Sequence, residues 1–149
     1  MEQGVRDAPV LLAAAGGAPL AARELAAAGV DAPAWLALPR AVAAGRAGAL
    51  AGWPVPRALD ALQKVCHDAL VQAAGGTPRY FAPQAMAPGA QPALLLAWAR
   101  SLSRVARHDE HPWNEGLLIE ALVGEGRGCW QEATTRGPRG GRALDTLAR

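Results

Sequence analysis

Alanine dominates this sequence and limits the folds that are open to it. The chain has 149 residues, of which 36 are alanine, whereas valine, isoleucine and threonine together supply only 14. Sheets favour β-branched and aromatic residues, while alanine and leucine favour helices. The composition therefore disfavours a sheet-rich fold and predicts an all-α protein. The length is that of one ordinary domain, or of one domain with a fragment of another.

Proline and glycine divide the chain into short predicted helices. Their positions and the apolar spacing predict helices over roughly residues 8–15, 19–28, 32–44, 46–52, 56–75, 92–107 and 114–123. Asp31 and Asn114 stand where N-caps are expected. Pro39 should kink or split the third helix. The glycines of the segment 124–128 each cost helix stability, so we expect the last helix to fray there.

Three of these helices carry apolar stripes at helical spacing, which predict their buried faces. The stripe of the helix over 56–75 is Val55, Leu59, Leu62, Cys66, Ala69 and Ala73. The stripe of the helix over 92–107 is Leu94, Leu95, Trp98, Leu102 and Val105. In the last helix we expect Leu117, Leu118, Leu122 and Val123 to point inward.

Charged residues are predicted on the opposite, wetter faces. Asp60, Lys64 and Asp68 follow at i,i+4 spacing, where neighbouring side chains pair. Another row, with spacings of four and three, is formed by Arg100, Arg104 and Arg107. This arginine row has three open interpretations: contact with water, with carboxylates of a protein partner, or with phosphates.

The net charge of +2 lies at the carboxyl end of the chain. Residues 131–149 hold four arginines against Glu132 and Asp145, so the other 130 residues sum to zero. A neutral body argues against a large phosphate-binding face. Glycine, proline and arginine make up 8 of the 17 residues of the segment 133–149, which we predict to be a disordered basic tail.

No pattern predicts a catalytic, cofactor-binding or metal site. Cys66, His67 and Asp68 are the residue types of a catalytic triad, but consecutive helical side chains point about 100° apart. The simpler interpretation is a buried thiol beside two surface polar residues. His108 and His111 could hold a metal with a nearby carboxylate, yet no third fixed ligand supports this, and a polar loop is the simpler reading.

Nothing indicates a secreted or membrane-spanning chain. The apolar run Val10–Ala15 lacks the positive lead of a signal peptide, and no apolar run reaches the ~18 residues of a membrane span. Two cysteines cannot form a disulfide framework or a cysteine-based zinc site. We therefore expect a cytoplasmic protein with free thiols.

Two long strings carry a family resemblance. Residues 59–70 read LDALQKVCHDAL, and residues 106–122 read ARHDEHPWNEGLLIEAL. Both resemble the C-terminal domain of the delta prime subunit of bacterial DNA polymerase III, particularly its betaproteobacterial forms. The connector over 73–81, AAGGTPRYF, fits as well, and the resemblance covers about residues 8–130.

The resemblance implies a fold and a role. It implies a helical collar domain over 30–132, preceded over 1–29 by the end of a small helical lid domain. Collar domains hold the clamp loader together, and the loader places the sliding clamp on primed DNA during replication. In active relatives the lid carries an arginine that reaches the nucleotide; here the corresponding position is approximately Leu20, which agrees with a subunit that does not hydrolyse ATP.

We therefore expect an assembly domain without a catalytic site, although its parent subunit would belong to a nucleotidyltransferase holoenzyme. The expected partners are other clamp-loader subunits of the delta and gamma/tau types, with DNA reached only through the assembly and with no cofactor or metal. The candidate interface residues are Arg100, Arg104, Arg107, Trp113 and Asn114. The alternative is a stand-alone helical nucleic-acid-binding protein that uses the arginine row and the basic tail.

Overall fold

The structure is a computed structural model that describes the backbone of residues 2–108 and 114–135, and the side chains of residues 7–108 and 114–131. Within these ranges the chain forms a bundle of α-helices with no strand, which confirms the all-α prediction. The helices are α1 (Glu2–Ala14), α2 (Pro19–Ala27), α3 (Ala32–Ala43), α4 (Val55–Ala73), α5 (Pro92–Arg107) and α6 (Glu115–Thr135). Two short 3₁₀ helices span Ala47–Leu50 and Pro83–Ala85.

Helices α4 and α5 pack against each other through the predicted stripes. Leu59, Leu62, Cys66 and Ala69 are buried on α4, and Leu95, Trp98 and Leu102 are buried on α5. The Cys66 thiol donates a hydrogen bond to the Leu95 carbonyl at 3.3 Å, which joins the two helices through a buried polar contact. The central residues of both predicted stripes are therefore confirmed, whereas Val55, Leu94 and Val105 are half-buried and Ala73, at the end of α4, is exposed.

A buried carboxylate holds the connector that follows α4. Asp68 has no exposed surface, and its two oxygens accept hydrogen bonds from the backbone N–H groups of Arg79, Tyr80 and Phe81 at 2.8–3.0 Å. The His67 ring lies 3.0 Å from the same carboxylate. Our prediction that Asp68 is a surface residue is therefore wrong, because the connector folds back over it. Lys64 pairs with Asp60 alone, at 2.7 Å.

Trp35 of α3 receives this connector. Its indole N–H donates to the Tyr80 carbonyl at 3.0 Å, and its ring stacks on Phe81 with 4.6 Å between ring centroids. Arg79 donates a hydrogen bond to the Gly16 carbonyl after α1. The connector thereby joins α1, α3 and α4. It places Phe81 in the core and Tyr80 against it.

Helix α3 continues through Pro39, so the predicted split is wrong. The helix runs without a break from Ala32 to Ala43, and the proline ring is almost fully buried. Proline removes one backbone donor and crowds the preceding turn. Burial of its ring in the core offsets part of that cost. The predicted cap at the start of this helix is confirmed, because Asp31 accepts from the Ala34 N–H at 2.8 Å.

Helix α6 also continues past the glycines that we expected to end it. A Cβ atom on Gly126 would lie 2.6 Å from the Trp98 ring, so only glycine lets the two helices approach this closely. The Trp98 indole donates to the Leu122 carbonyl at 2.9 Å, which ties the same two helices together. The helix reaches Thr135, three residues into the predicted tail, and residues 136–149 lie outside the described range.

The buried face of α6 contains Ile119 in place of the predicted Leu117. Ile119, Leu122 and Val123 are buried, whereas Leu117 is 61% exposed and Leu118 is half-buried. Asn114 caps the helix by accepting from the Leu117 N–H at 3.0 Å, as predicted. The need to turn Gly126 toward Trp98 sets the rotation of α6, and this rotation carries Leu117 outward.

Helices α1 and α2 form the amino-terminal edge of the bundle. Leu11 and Ala14 of α1 belong to the same hydrophobic core cluster as residues of α3, α4, α5 and α6. No residue of α2 is buried, and Leu20 near its start is 75% exposed. The first helix is thus part of the core, while the second covers it from one side only.

Replacing a core leucine should cost much more stability than replacing the exposed one. We expect Leu102→Ala to lower the free energy of unfolding by about 2–5 kcal/mol, because it leaves a cavity at a fully buried position. The matched control Leu117→Ala should cost less than about 0.5 kcal/mol. Urea unfolding followed by circular dichroism measures both. Equal costs would show that the rotation of α5 or α6 is wrong.

Removing the Asp68 carboxylate should loosen the connector. We expect Asp68→Ala to cost roughly 2–5 kcal/mol, since it leaves one buried and two part-buried N–H donors without their acceptor. The conservative variant Asp68→Asn should also destabilise, because its amide NH₂ would face backbone donors. Amide hydrogen exchange of residues 79–81 should rise in both variants. Unchanged exchange there would contradict the assigned role.

Candidate protein-interaction surface

The outward face of α5 forms a shallow groove with α4. The groove has a volume of about 610 Å³, and we name it the α5 groove. Its lining residues are Gln63 of α4 and Leu96, Ala99, Arg100, Ser103, Ala106 and Arg107 of α5. Alanine at two of these positions keeps the floor shallow and apolar, so a large flat element fits it better than a small ligand.

Leu96 gives the α5 groove an exposed apolar side chain. It is 49% exposed, although Leu95 beside it is fully buried. Three leucines in succession, Leu94 to Leu96, cannot all point inward, because helical neighbours differ by about 100°. Leu96 is the one that this geometry turns outward. We did not predict it as an interface residue, although the run of three leucines was a usable signal.

The arginine row lies on the exposed side of α5, and its members line two neighbouring grooves. Arg100 and Arg107 line the α5 groove, whereas Arg104 lies at the flank of the same face, toward α6. There it shares a second groove, of about 260 Å³, with Glu125 of α6. Within the described part of the chain, none of the three guanidinium groups makes a hydrogen bond or an ion pair. The row thus presents unneutralised positive charge.

The other two candidate interface residues have different outcomes. Asn114 is exposed, and its side chain is engaged as the N-cap of α6. Trp113 lies outside the described residues. Four other tryptophans lie in the described range, and three of these donate indole hydrogen bonds to backbone carbonyls: Trp35, Trp98 and Trp130. These three act in packing.

Helix α6 presents a second exposed apolar side chain. Leu117 shares its face with Ala121 and Gly124, both of which are exposed. Glu120 lies at the edge of this face and lines, with Glu115, a groove of about 570 Å³ beside the first 3₁₀ helix. The face therefore combines a leucine, small residues and carboxylates.

The residue groups with catalytic potential do not assemble into a site. His108 is exposed, and His111 lies outside the described residues. No cluster of three or more potential metal ligands occurs among the residues that could be searched. Cys66 points into the core toward the Leu95 carbonyl, while Asp68 binds backbone N–H groups. The buried thiol was predicted correctly, and the Asp68 carboxylate is occupied by the connector.

Comparison with known proteins returned no match to a family model, to a curated protein or to a solved structure. Within the described range, no single helix is long and apolar enough to cross a membrane. The segments Asp7–Ala14 and Pro19–Ala27 meet the length and composition test only as a pair, and a bend of 112° separates them.

Both cysteines should be unreactive in the folded protein. Burial raises the pKa of the Cys66 thiol to about 12 and that of Cys129 to about 11. Since the thiolate is the reactive form, we expect a disulfide reagent at about pH 8 to modify neither thiol until guanidinium chloride is added. A thiol that reacts fully in the folded protein would contradict the burial.

The same pKa values give the sign of a pH effect. Thiols in an unfolded chain have a pKa of about 8.5, so the raised pKa values mean that the folded state binds the two thiol protons more tightly. Their contribution to stability is therefore complete below that pH and is lost as the pH rises toward 11 and 12. The variant Cys66→Ala should show a shallower loss of stability with alkaline pH.

Proposed function

We propose that this chain is an assembly domain of a DNA polymerase III clamp-loader subunit of the delta prime type. It acts through helix–helix contacts with other clamp-loader subunits and supports the loading of the sliding clamp during DNA replication. Residues 30–132 would form the collar domain, and residues 1–29 the end of the lid domain. The parent subunit would belong to the nucleotidyltransferase holoenzyme.

The observation that carries this proposal is the composition of the outward face of α5. A half-exposed leucine lies near alanines and beside two arginines that make no hydrogen bond or ion pair within the described part of the chain. Interfaces are enriched in arginine and in large apolar side chains, and the central residues contribute most of the binding energy. A face of this kind is suited to a protein partner that supplies apolar surface and carboxylates.

The amino-terminal edge supports a subunit that continues beyond this domain. Helix α2 buries none of its residues, and it exposes Leu20 and Arg23. A helix that covers the core from one side only leaves its other side for a neighbouring element. An uncharged leucine at this place also agrees with a lid that does not contact nucleotide phosphates.

The nucleic-acid alternative relies on the same unpaired arginines. Phosphate contacts release counterions, so such binding falls steeply with salt. Arg100 and Arg107 alone make a narrow patch, and Glu125 lies beside Arg104. A protein partner accounts better for the exposed Leu96, which has no role in phosphate binding.

Co-expression tests the proposal. We expect the chain to co-elute in size exclusion with delta-type and gamma/tau-type subunits encoded by the same genome. The variant Leu96→Lys should reduce the co-eluting fraction, because it places a charge in the apolar centre of the face. The control Arg23→Gln changes an exposed residue on α2 and should affect only contacts made by that helix.

Two outcomes would overturn the proposal. A chain that elutes alone in the presence of all these subunits is not a clamp-loader assembly domain. Strong binding of the isolated chain to primed DNA at about 50 mM salt, lost at about 200 mM, would replace the proposal with the nucleic-acid alternative.

A further inference from the structure

We propose that the isolated chain also associates with a second copy of itself, and that the α5 groove of one copy receives the exposed face of α6 from the other. This inference goes beyond the assembly role above and does not depend on any clamp-loader subunit. In a larger assembly, another subunit that used the same groove would replace the second copy.

Charge complementarity identifies the second copy as the occupant. Helix α5 carries Arg100, Arg104 and Arg107 and no carboxylate, so its formal charge is +3. Among its described side chains, helix α6 carries Glu115, Glu120 and Glu125 and one arginine, Arg127, so its formal charge there is −2. Complementary charge across an interface guides encounter and fixes register. One chain thus presents both the cationic groove and an anionic helix that matches it.

The two faces also match in shape and length. On α5 the outward positions are 96, 100, 103 and 107; on α6 the corresponding positions are 117, 121 and 124, which are exposed, and 128, which is half-buried, with the same steps of four, three and four. Each row spans about 16 Å at the helical rise per residue. Leu96 projects from the α5 face. On the α6 face, no atom of the described part of the chain lies within 4 Å of a Cβ built on Gly124 or Gly128, so this face has room for the leucine.

The positions of the leucine and the glycines favour an antiparallel arrangement of the two helices. In that arrangement Leu96 lies over the glycines at 124 and 128, and Arg107 lies near Glu120 and Leu117. A parallel arrangement would instead place Leu96 over Leu117 and would leave the glycines at 124 and 128 opposite Ser103 and Arg107. The antiparallel pairing therefore brings together the leucine with the small residues, and the arginine with the carboxylate.

Sedimentation velocity over a wide concentration range tests the proposal on the full chain. We expect concentration-dependent association of the wild-type chain. The α5 variant Arg100→Glu with Arg107→Glu should weaken it by at least about tenfold, as should the α6 variant Glu120→Arg with Glu125→Arg, which reverses the two exposed carboxylates that flank the α6 face. The control Arg23→Glu with Arg46→Glu has the same charge change as the α5 variant, on exposed residues elsewhere, and should associate like the wild type.

Mixing the two variants is the decisive step. The α5 variant keeps an intact α6 face, and the α6 variant keeps an intact α5 groove, so an equimolar mixture should form a one-to-one complex that neither variant forms alone. Gly124→Gln tests the interface without a change of charge, and a loss of association in this variant could not be caused by unfolding. It should raise the melting temperature, because glutamine favours a helix, and yet weaken association.

Three results would overturn the inference. They are a wild-type chain that stays monomeric at all concentrations, an α5 variant that associates like the control, or a mixture in which no complex forms. If association follows the prediction while the co-expressed subunits are ignored, only the clamp-loader proposal fails. If the subunits co-elute and the isolated chain is monomeric, only this inference fails.

Discussion

The Asp68 carboxylate is the contact on which the arrangement of the helices depends. A buried charge is tolerated only when it is fully hydrogen-bonded. Here three consecutive backbone N–H groups of the connector and the neighbouring His67 ring meet that requirement. Because these bonds fix the path of residues 79–81, they also bring Phe81 onto Trp35 and Arg79 to the end of α1. One side chain thereby sets the positions of three helices.

This arrangement determines which surfaces remain open. The connector covers one side of α4 and helix α5 covers another, while α3 packs on α1 and α6, and α6 closes the bundle on α5 through the contact between Gly126 and Trp98. Helix α5 packs on both α4 and α6 and buries Leu95, Trp98 and Leu102, while most of its other residues face outward. The outward side holds Leu96 and the arginines that have no partner within the described part of the chain, which is why the surface best suited to association lies on α5.

The sequence predicted the parts of the fold that depend on local patterns. The stripes of α4 and α5 and the caps at Asp31 and Asn114 involve residues within a few turns of one another, so spacing was sufficient. The prediction for Asp68 was wrong because its partners lie 11–13 residues away, in a segment with no regular structure. The arginine row was correctly predicted on the surface, but its division between two grooves depends on where α4 and α6 pack.

Two glycines of α6 have different explanations, one within the chain and one in the proposed contact between two copies. Each interior glycine costs a helix about 1 kcal/mol relative to alanine. At Gly126 that cost is offset within the chain, because only glycine admits the Trp98 ring. Two residues earlier, Gly124 has the same cost, and within the described part of the chain no atom lies within 4 Å of its missing Cβ. In a chain with 36 alanines, an alanine at this exposed position would favour the helix more. The proposed interface explains Gly124 in the same way that Trp98 explains Gly126, because a glycine lets a second helix approach closely. Leu96 of the α5 groove is the side chain that would occupy the space at Gly124.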